Sequence, residues 1–301
     1  MESPSVSNPS ADEDIKVDLN DGYVYRLDLA YIGTTFLGWQ SQVHGNTVQD
    51  VIEKALQTAL REKVRILGAS RTDTGVHAEH QVARFKTKQK VDCHRLQRSL
   101  EALLPDSLGV YKLRPVSPNF HPIVHAESKL YRYRIWQGSG VSPFARPFVW
   151  NIPQKLELAG MRQATQTLIG RHNFKSFCAS DGSSKTFERT IFEAQWIEKG
   201  QLLEFYILGD GFLKQMIRTV VGTLVEVGTL KRTLSSFEAA MASQSRLEAG
   251  QTAPAVGLSL VRIFYEPMEA IPRALLEEKG LLSFNVQEFD AENAFKPAPR
   301  L

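Results

Sequence analysis

Gly68-Ala69-Ser70-Arg71-Thr72-Asp73-Thr74-Gly75-Val76-His77-Ala78 is the stretch on which the reading of this chain turns. A strand is expected just before it, Lys63 to Leu67, and another after it, near Gln81 to Thr87. The stretch is therefore a tight connection inside a sheet. A glycine near each end permits positive φ or close approach of another group. Between them, Arg71 and Asp73 stand two residues apart. A charged carboxylate on a rigid loop can be a nucleophile, a base or a metal ligand, and a nearby guanidinium favours its charged form. The same pair also suits a structural ion pair that braces a turn.

Upstream, Tyr23 to Tyr31 alternates. Tyr23, Tyr25, Leu27, Leu29 and Tyr31 share one face and Arg26 and Asp28 the other, the pattern of a half-buried strand. The loop Ile32 to Gly45 carries Gly38-Trp39-Gln40. Asn46 with Gln49 suits a capping box. Behind it Val48, Val51, Ile52, Ala55, Leu56, Ala59 and Leu60 fall on one helical face. Downstream, Asp92 caps a second helix bearing Leu96, Leu100, Leu103 and Leu104 and stopped by Pro105. A strand, Gly109 to Val116, follows. The order β-α-β-β-α-β is the ferredoxin-like arrangement, an open sheet with helices on one face.

The second half reads as a degenerate repeat. Lys129 to Trp136 is a strand and Leu156 to Ile169 a helix. Ile191 to Lys199 and Gln201 to Leu208 form a hairpin turning at Lys199-Gly200. Phe212 to Val227 is an apolar helix, Leu234 to Met241 a short one, and Val256 to Tyr265 a closing strand. The expected class is α+β, with halves at 23–126 and 127–267 and a ligand cleft where they meet. Residues 1–22, rich in Ser, Pro, Asn and Asp, are expected to be a disordered tail. A second tail is expected at 268–301, with a helical patch at Ala270 to Lys279.

Composition narrows the function. The chain has 301 residues, 43% of them hydrophobic, enough for one large or two modest domains. A net charge of +3 is compatible with a polyanionic partner without demanding one. Two cysteines, Cys93 and Cys178, give no disulfide framework. No apolar run is long enough to span a membrane, and the acidic start is unlike a signal peptide, so a soluble cytoplasmic protein is expected. There is no Walker loop, Rossmann fingerprint or Gly-x-Ser-x-Gly. The spacing of His77, His80 and Cys93-His94 matches no standard zinc motif. Neither a cofactor nor a metal is expected.

Three further stretches could carry chemistry. In Lys129-Leu130-Tyr131-Arg132-Tyr133-Arg134-Ile135-Trp136, Lys129, Tyr131, Tyr133 and Ile135 face one side of a strand and the others the opposite side. Interleaved aromatics and cations can stack a base and neutralise phosphates, although the run reads first as an ordinary strand. Phe212, Met216, Val220 and Leu224 make a helical core stripe, with Lys214, Gln215 and Arg218 off it. Arg218, among apolar neighbours, needs an anionic partner, and Asp73 is a candidate. In Ala253-Pro254-Ala255-Val256-Gly257-Leu258, Leu258 suits either the core or the floor of a pocket.

These motifs, in this order, resemble the TruA family of tRNA pseudouridine synthases. Gly38-Trp39-Gln40, Arg71-Thr72-Asp73-x-Gly75-Val76-His77-Ala78, Lys129-x-Tyr131-x-Tyr133 and Phe212-Leu213 through Arg218 carry the likeness. Phe120-His121, Gly170-x-His172-Asn173-Phe174 and Ala253-Pro254-Ala255-x-Gly257-Leu258 extend it over about residues 23 to 266. The resemblance implies two RRM-like halves joined into one extended, mostly antiparallel sheet with a basic cleft. It implies a homodimer that isomerises uridine to pseudouridine at positions 38, 39 and 40 of the tRNA anticodon stem-loop, without metal or cofactor. It makes Asp73 the nucleophile, Tyr131 the aromatic stacked on uracil and Arg218 the partner of the aspartate. Leu258 becomes the apolar contact under the base, and Arg71 an aid to the flipped nucleotide. The alternatives are the same chemistry on another RNA, or an RNA-binding protein without catalysis. Two positions depart from the family pattern. Phe120-His121-Pro122-Ile123-Val124 lacks the arginine of Phe-His-Ala-Arg-Phe. Ser70 replaces a commoner glycine, which is allowed where φ stays negative.

Overall fold

A computed structural model of the chain describes residues 22–266, apart from 44 and 183. The tail expected over 1–22 lies outside the described residues except for Gly22. So does the expected tail 268–301 with its helical patch at Ala270 to Lys279. The first half runs β1 (Tyr23–Tyr31), α1 (Val48–Leu60), β2 (Ile66–Gly68), β3 (His77–Thr87), α2 (Cys93–Leu103) and β4 (Leu108–Pro115), in the order expected. The second runs β5 (Ser128–Gln137), β6 (Trp150–Ile152), α3 (Leu158–Gln166), β7 (Gly170–Asn173), β8 (Glu188–Lys199), β9 (Leu202–Gly209), α4 (Met216–Gly228), α5 (Leu234–Ala242) and β10 (Leu258–Phe264).

All ten strands join one sheet, ordered β4-β1-β3-β10-β5-β9-β8-β7, with β2 on β3 and β6 on β5. Pairing is antiparallel except at β3–β10 and β5–β6. The last strand thus returns to the middle of the sheet, between the two halves. One large core runs beneath both halves. It takes Leu27 and Leu29 from β1, Tyr131 and Tyr133 from β5, and residues of all five helices. Burying these apolar side chains on one side of the sheet is the dominant stabilising term.

Several local expectations are corrected. Thr47, not Asn46, caps α1: its hydroxyl accepts from the Asp50 amide, while Asn46 has φ 57°. The helix after β9 begins at Met216, because Gln215 adopts a left-handed φ of 60°. Phe212 therefore lies before the helix and outside its stripe. The short strands β6 and β7 were not anticipated. In β1 the second face is covered too. Arg26 and Asp28 are buried and paired with each other. Asp28 also accepts from His80 Nε2 at 2.9 Å, and Arg26 lies 4.7 Å over the Tyr265 ring. The cations of β5 behave likewise. Arg132 pairs with Glu79 and Arg134 with Glu204, on the face opposite Tyr131, so both charges are balanced within the protein, although the buried Arg132 Nε has no hydrogen-bond partner among the described residues.

His77 ties the two halves at the central seam. Its Nδ1 accepts from the Gly33 amide at 3.1 Å, which leaves Nε2–H to donate to the Val256 carbonyl at 3.1 Å. Burial lowers its pKa, with the Arg134 charge adding to the effect. In the folded state the ring is thus neutral at a pH where the unfolded chain already binds a proton. Its contribution to stability is full above about pH 6.5 and falls as pH drops through the lowered folded value. His77→Ala leaves the buried Gly33 amide and the partly buried Val256 carbonyl unpaired and should cost about 1–3 kcal/mol. Urea unfolding at pH 7.5 and 5.5 should show a smaller pH difference in the variant than in the wild type. Equal differences would remove His77 from this role.

Candidate active site

The loop after β2 is fixed by its neighbours. The amide of Trp39 donates to the Thr72 carbonyl at 3.1 Å, and the Thr72 hydroxyl bonds Tyr31 Oη at 2.7 Å. The indole of Trp39 lies so close to Gly68 that a Cβ there would meet it at 2.3 Å, so only glycine fits. Gly75, with φ 80°, makes the turn out of the loop. Ser70 is absent from the residues with positive φ, which is the condition for replacing a glycine there. The buried Gln81 holds Ser70 at both backbone groups, accepting from its N–H at 3.2 Å and donating to its carbonyl at 2.6 Å. Lys129 Nζ donates to the Ala69 carbonyl at 2.9 Å.

Asp73, carried by this loop, meets Arg218 of α4. Arg218 Nη1 donates to Asp73 Oδ2 at 3.0 Å, and its Nε donates to the Ala253 carbonyl at 2.8 Å. The two side chains are 21% and 15% exposed, so the pair is shielded yet open to a ligand. Arg71 does not pair with Asp73. It is exposed, and its side chain has no hydrogen bond to a described residue. Side chains two apart in an extended segment share a face only where the chain is straight, and here it turns. The internal brace that Arg71 and Asp73 could have made is absent among the described residues.

Tyr131 of β5 forms the next wall. It is buried, and its hydroxyl lies 2.8 Å from Ser70 Oγ. The Phe212 ring stands nearly perpendicular to it, with centroids 5.2 Å apart. Burial, with the Asp73 charge adding, pushes the Tyr131 pKa up to about 12, against a smaller opposing effect of the Ser70 bond. Leu258 is buried on β10 opposite Tyr133. Burial, with the Arg189 charge adding, pulls the Lys129 ammonium down to about 8. Four separate elements thus place an arginine-bound carboxylate, a phenol ring and an apolar side chain around the seam. Ser70, Gln81, Lys129 and Phe212 complete the surroundings. Lys129 and Phe212 lay in motifs already singled out, but their partners could not be read from spacing.

A family model described as tRNA pseudouridine synthase matches residues 29–123 and 164–266. The tRNA pseudouridine synthase A of Acetivibrio thermocellus is 39% identical over 240 residues, spanning 80% of this chain and 98% of that protein. That of Citrifermentans bemidjiense is 38% identical over 242 residues, 80% of this chain and 97% of that protein. That of Moorella thermoacetica is also 38% identical over 242 residues, 80% and 98%. Matches of this length, spanning the loop of Asp73 and the helix of Arg218, make the chain a member of the tRNA pseudouridine synthase family.

Proposed function

We propose that this protein isomerises uridine to pseudouridine in tRNA, at positions 38, 39 and 40 of the anticodon stem-loop. The observation that carries the proposal is the Asp73–Arg218 pair beside the buried ring of Tyr131. The reaction breaks N1–C1′, turns the uracil and joins C5 to C1′. A proton leaves C5 and another is added at N1. The uracil must stay trapped between the two bond changes, which requires a flat wall and an apolar floor. Tyr131 and Leu258 supply these. As a phenol with its pKa near 12, Tyr131 stays protonated at neutral pH and serves as a wall. Arg218 holds one oxygen of Asp73, leaving Oδ1 free to act on the nucleoside as nucleophile.

A nucleotide in a stem must be flipped out, at a cost of a few kcal/mol. Arg71, exposed and unpaired among the described residues, would hold the extruded nucleotide. The halves 23–126 and 127–267 meet along the seam and grip the stem between them. The protein acts as a cytoplasmic homodimer. Contacts to phosphate make binding weaken as salt rises.

The test uses tRNA tritiated at uridine C5. Isomerisation releases the label to water, whereas binding alone does not. Release confined to tRNAs with uridine at 38 to 40 is the expected result. Release from another RNA only would redirect the substrate, and binding without any release would make this an RNA-binding protein.

A further inference from the structure

We infer that Ser70 is a positioning residue for the base-stacking wall: its hydroxyl fixes the phenol of Tyr131 in the orientation that receives uracil. The inference rests on the proposed isomerase reading and adds a residue to that site. Ser70 and Tyr131 lie 61 residues apart and on opposite sides of the seam, yet their hydroxyls are 2.8 Å apart. Both residues are buried. The bond therefore operates away from water, where a lost partner is costly.

Ser70 can serve as an anchor because it is itself held. Gln81, fully buried, bonds its amide and its carbonyl. One residue earlier, the Ala69 amide donates to Val82 and its carbonyl takes the Lys129 ammonium. Lys129 and Tyr131 project from the same face of β5 onto consecutive residues, 69 and 70. Segment and strand are thus joined by two adjacent rungs. Without the second rung, Tyr131 keeps Phe212 beside its ring but loses the bond at its hydroxyl. A buried phenol that has lost its partner can still tilt within its packing, and the tilt must be given up when uracil binds. With its hydroxyl held, the packed ring is ready before the base arrives. A glycine at position 70 could not supply this bond.

The test compares Ser70→Ala, Ser70→Thr and Tyr131→Phe, alone and combined, in the full chain. Measured well below Tm, single-turnover tritium release should fall about ten-fold in Ser70→Ala, with tRNA affinity near wild type and Tm lower by only a few degrees, the cost of one buried hydrogen bond. Ser70→Thr should restore the rate. In a Tyr131→Phe background, Ser70→Ala should have no further effect, because the bond it removes is already gone. Wild-type rate in Ser70→Ala overturns the inference. So do multiplying effects of Ser70→Ala and Tyr131→Phe, or a loss that tracks Tm and is not rescued by Thr. The chemical shift of Tyr131 Cζ, which reports the hydrogen bond of the phenol oxygen and is read by NMR with labelled tyrosine, decides the point without turnover. It should move in Ser70→Ala, and an unchanged shift also overturns the inference. Wild type that releases no tritium while its Tyr131 ring is held by Ser70 would sink the isomerase reading alone.

Discussion

Asp73→Asn should lose tritium release by roughly four orders of magnitude or more, the scale seen when a nucleophile, the role proposed for Asp73, is removed. It should bind tRNA as tightly as wild type. The two halves of this prediction have separate grounds. Asparagine matches the shape of aspartate, and its side-chain oxygen can still accept from Arg218 Nη1, which now meets Asp73 Oδ2 at 3.0 Å. The arginine keeps its Ala253 anchor at 2.8 Å as well. The pocket should therefore stay folded, and loss of activity cannot be put down to collapse. An amide has no negative charge with which to attack a nucleoside, so the chemical step goes. Removing a negative charge from a cleft that receives phosphates gives no reason for weaker binding. Single-turnover release and a filter-binding titration on the same preparation separate the two effects. Retention of more than about one hundredth of the wild-type rate would place the chemistry on another group.

The fold was legible where period and length coincide. The alternation over Tyr23 to Tyr31 and the apolar stripe over Val48 to Leu60 recur as β1 and α1 with the same ends. Strands β6 and β7, of three and four residues, are too short to show a period. Phe212 misled for the opposite reason. Its spacing to Met216 is helical, but the left-handed turn at Gln215 that separates them carries no glycine or proline to announce it. Alternation also tells faces apart without telling whether a face is covered. Arg26 and Asp28 are on the polar face of β1, yet both are buried, Arg26 against Tyr265 and Phe120 and Asp28 against Arg26 and His80. In the site, Arg218 was legible as a charge in need of a partner, since an apolar helix leaves it few other choices. That Asp73, 145 residues away, could be the partner was a candidate on paper and is a 3.0 Å contact in the structure. The nearer guanidinium of Arg71 was the more obvious partner in the sequence and is not the one used. The Ser70–Tyr131 bond left no trace in spacing, because neither residue needs the other until the halves meet.

Gly222→Ala sets two opposed effects against each other on the helix that carries Arg218. Alanine favours an α-helix over glycine by about 1 kcal/mol, so on propensity alone the variant should be more stable. The neighbouring backbone reverses that expectation. A Cβ on Gly222 would stand 1.8 Å from the Gln251 carbonyl oxygen and 3.3 Å from the Ala253 amide. The segment cannot simply step back, since it is bonded to the same helix at several points. Gly250 N–H donates to Thr223 at 2.9 Å and Gln251 N–H to Glu226 at 3.1 Å. Ala253 N–H donates to the Arg218 carbonyl at 3.0 Å. Overpacking costs roughly 1–3 kcal/mol, and each lost hydrogen bond adds about 1. The clash wins, with a net loss of roughly 2–4 kcal/mol. For a domain of this size Tm should fall by roughly 5–15 °C. Activity should fall even at temperatures where the variant is fully folded, because displacement of Ala253 withdraws the carbonyl that holds Arg218 Nε at 2.8 Å. The guanidinium would then be free to turn away from Asp73. A thermal melt and single-turnover release at a low temperature check the two parts. A Tm at or above the wild-type value would mean that segment 250–253 yields without strain. In that case a drop in release would show that the position of the carbonyl, and not stability, is what the glycine protects.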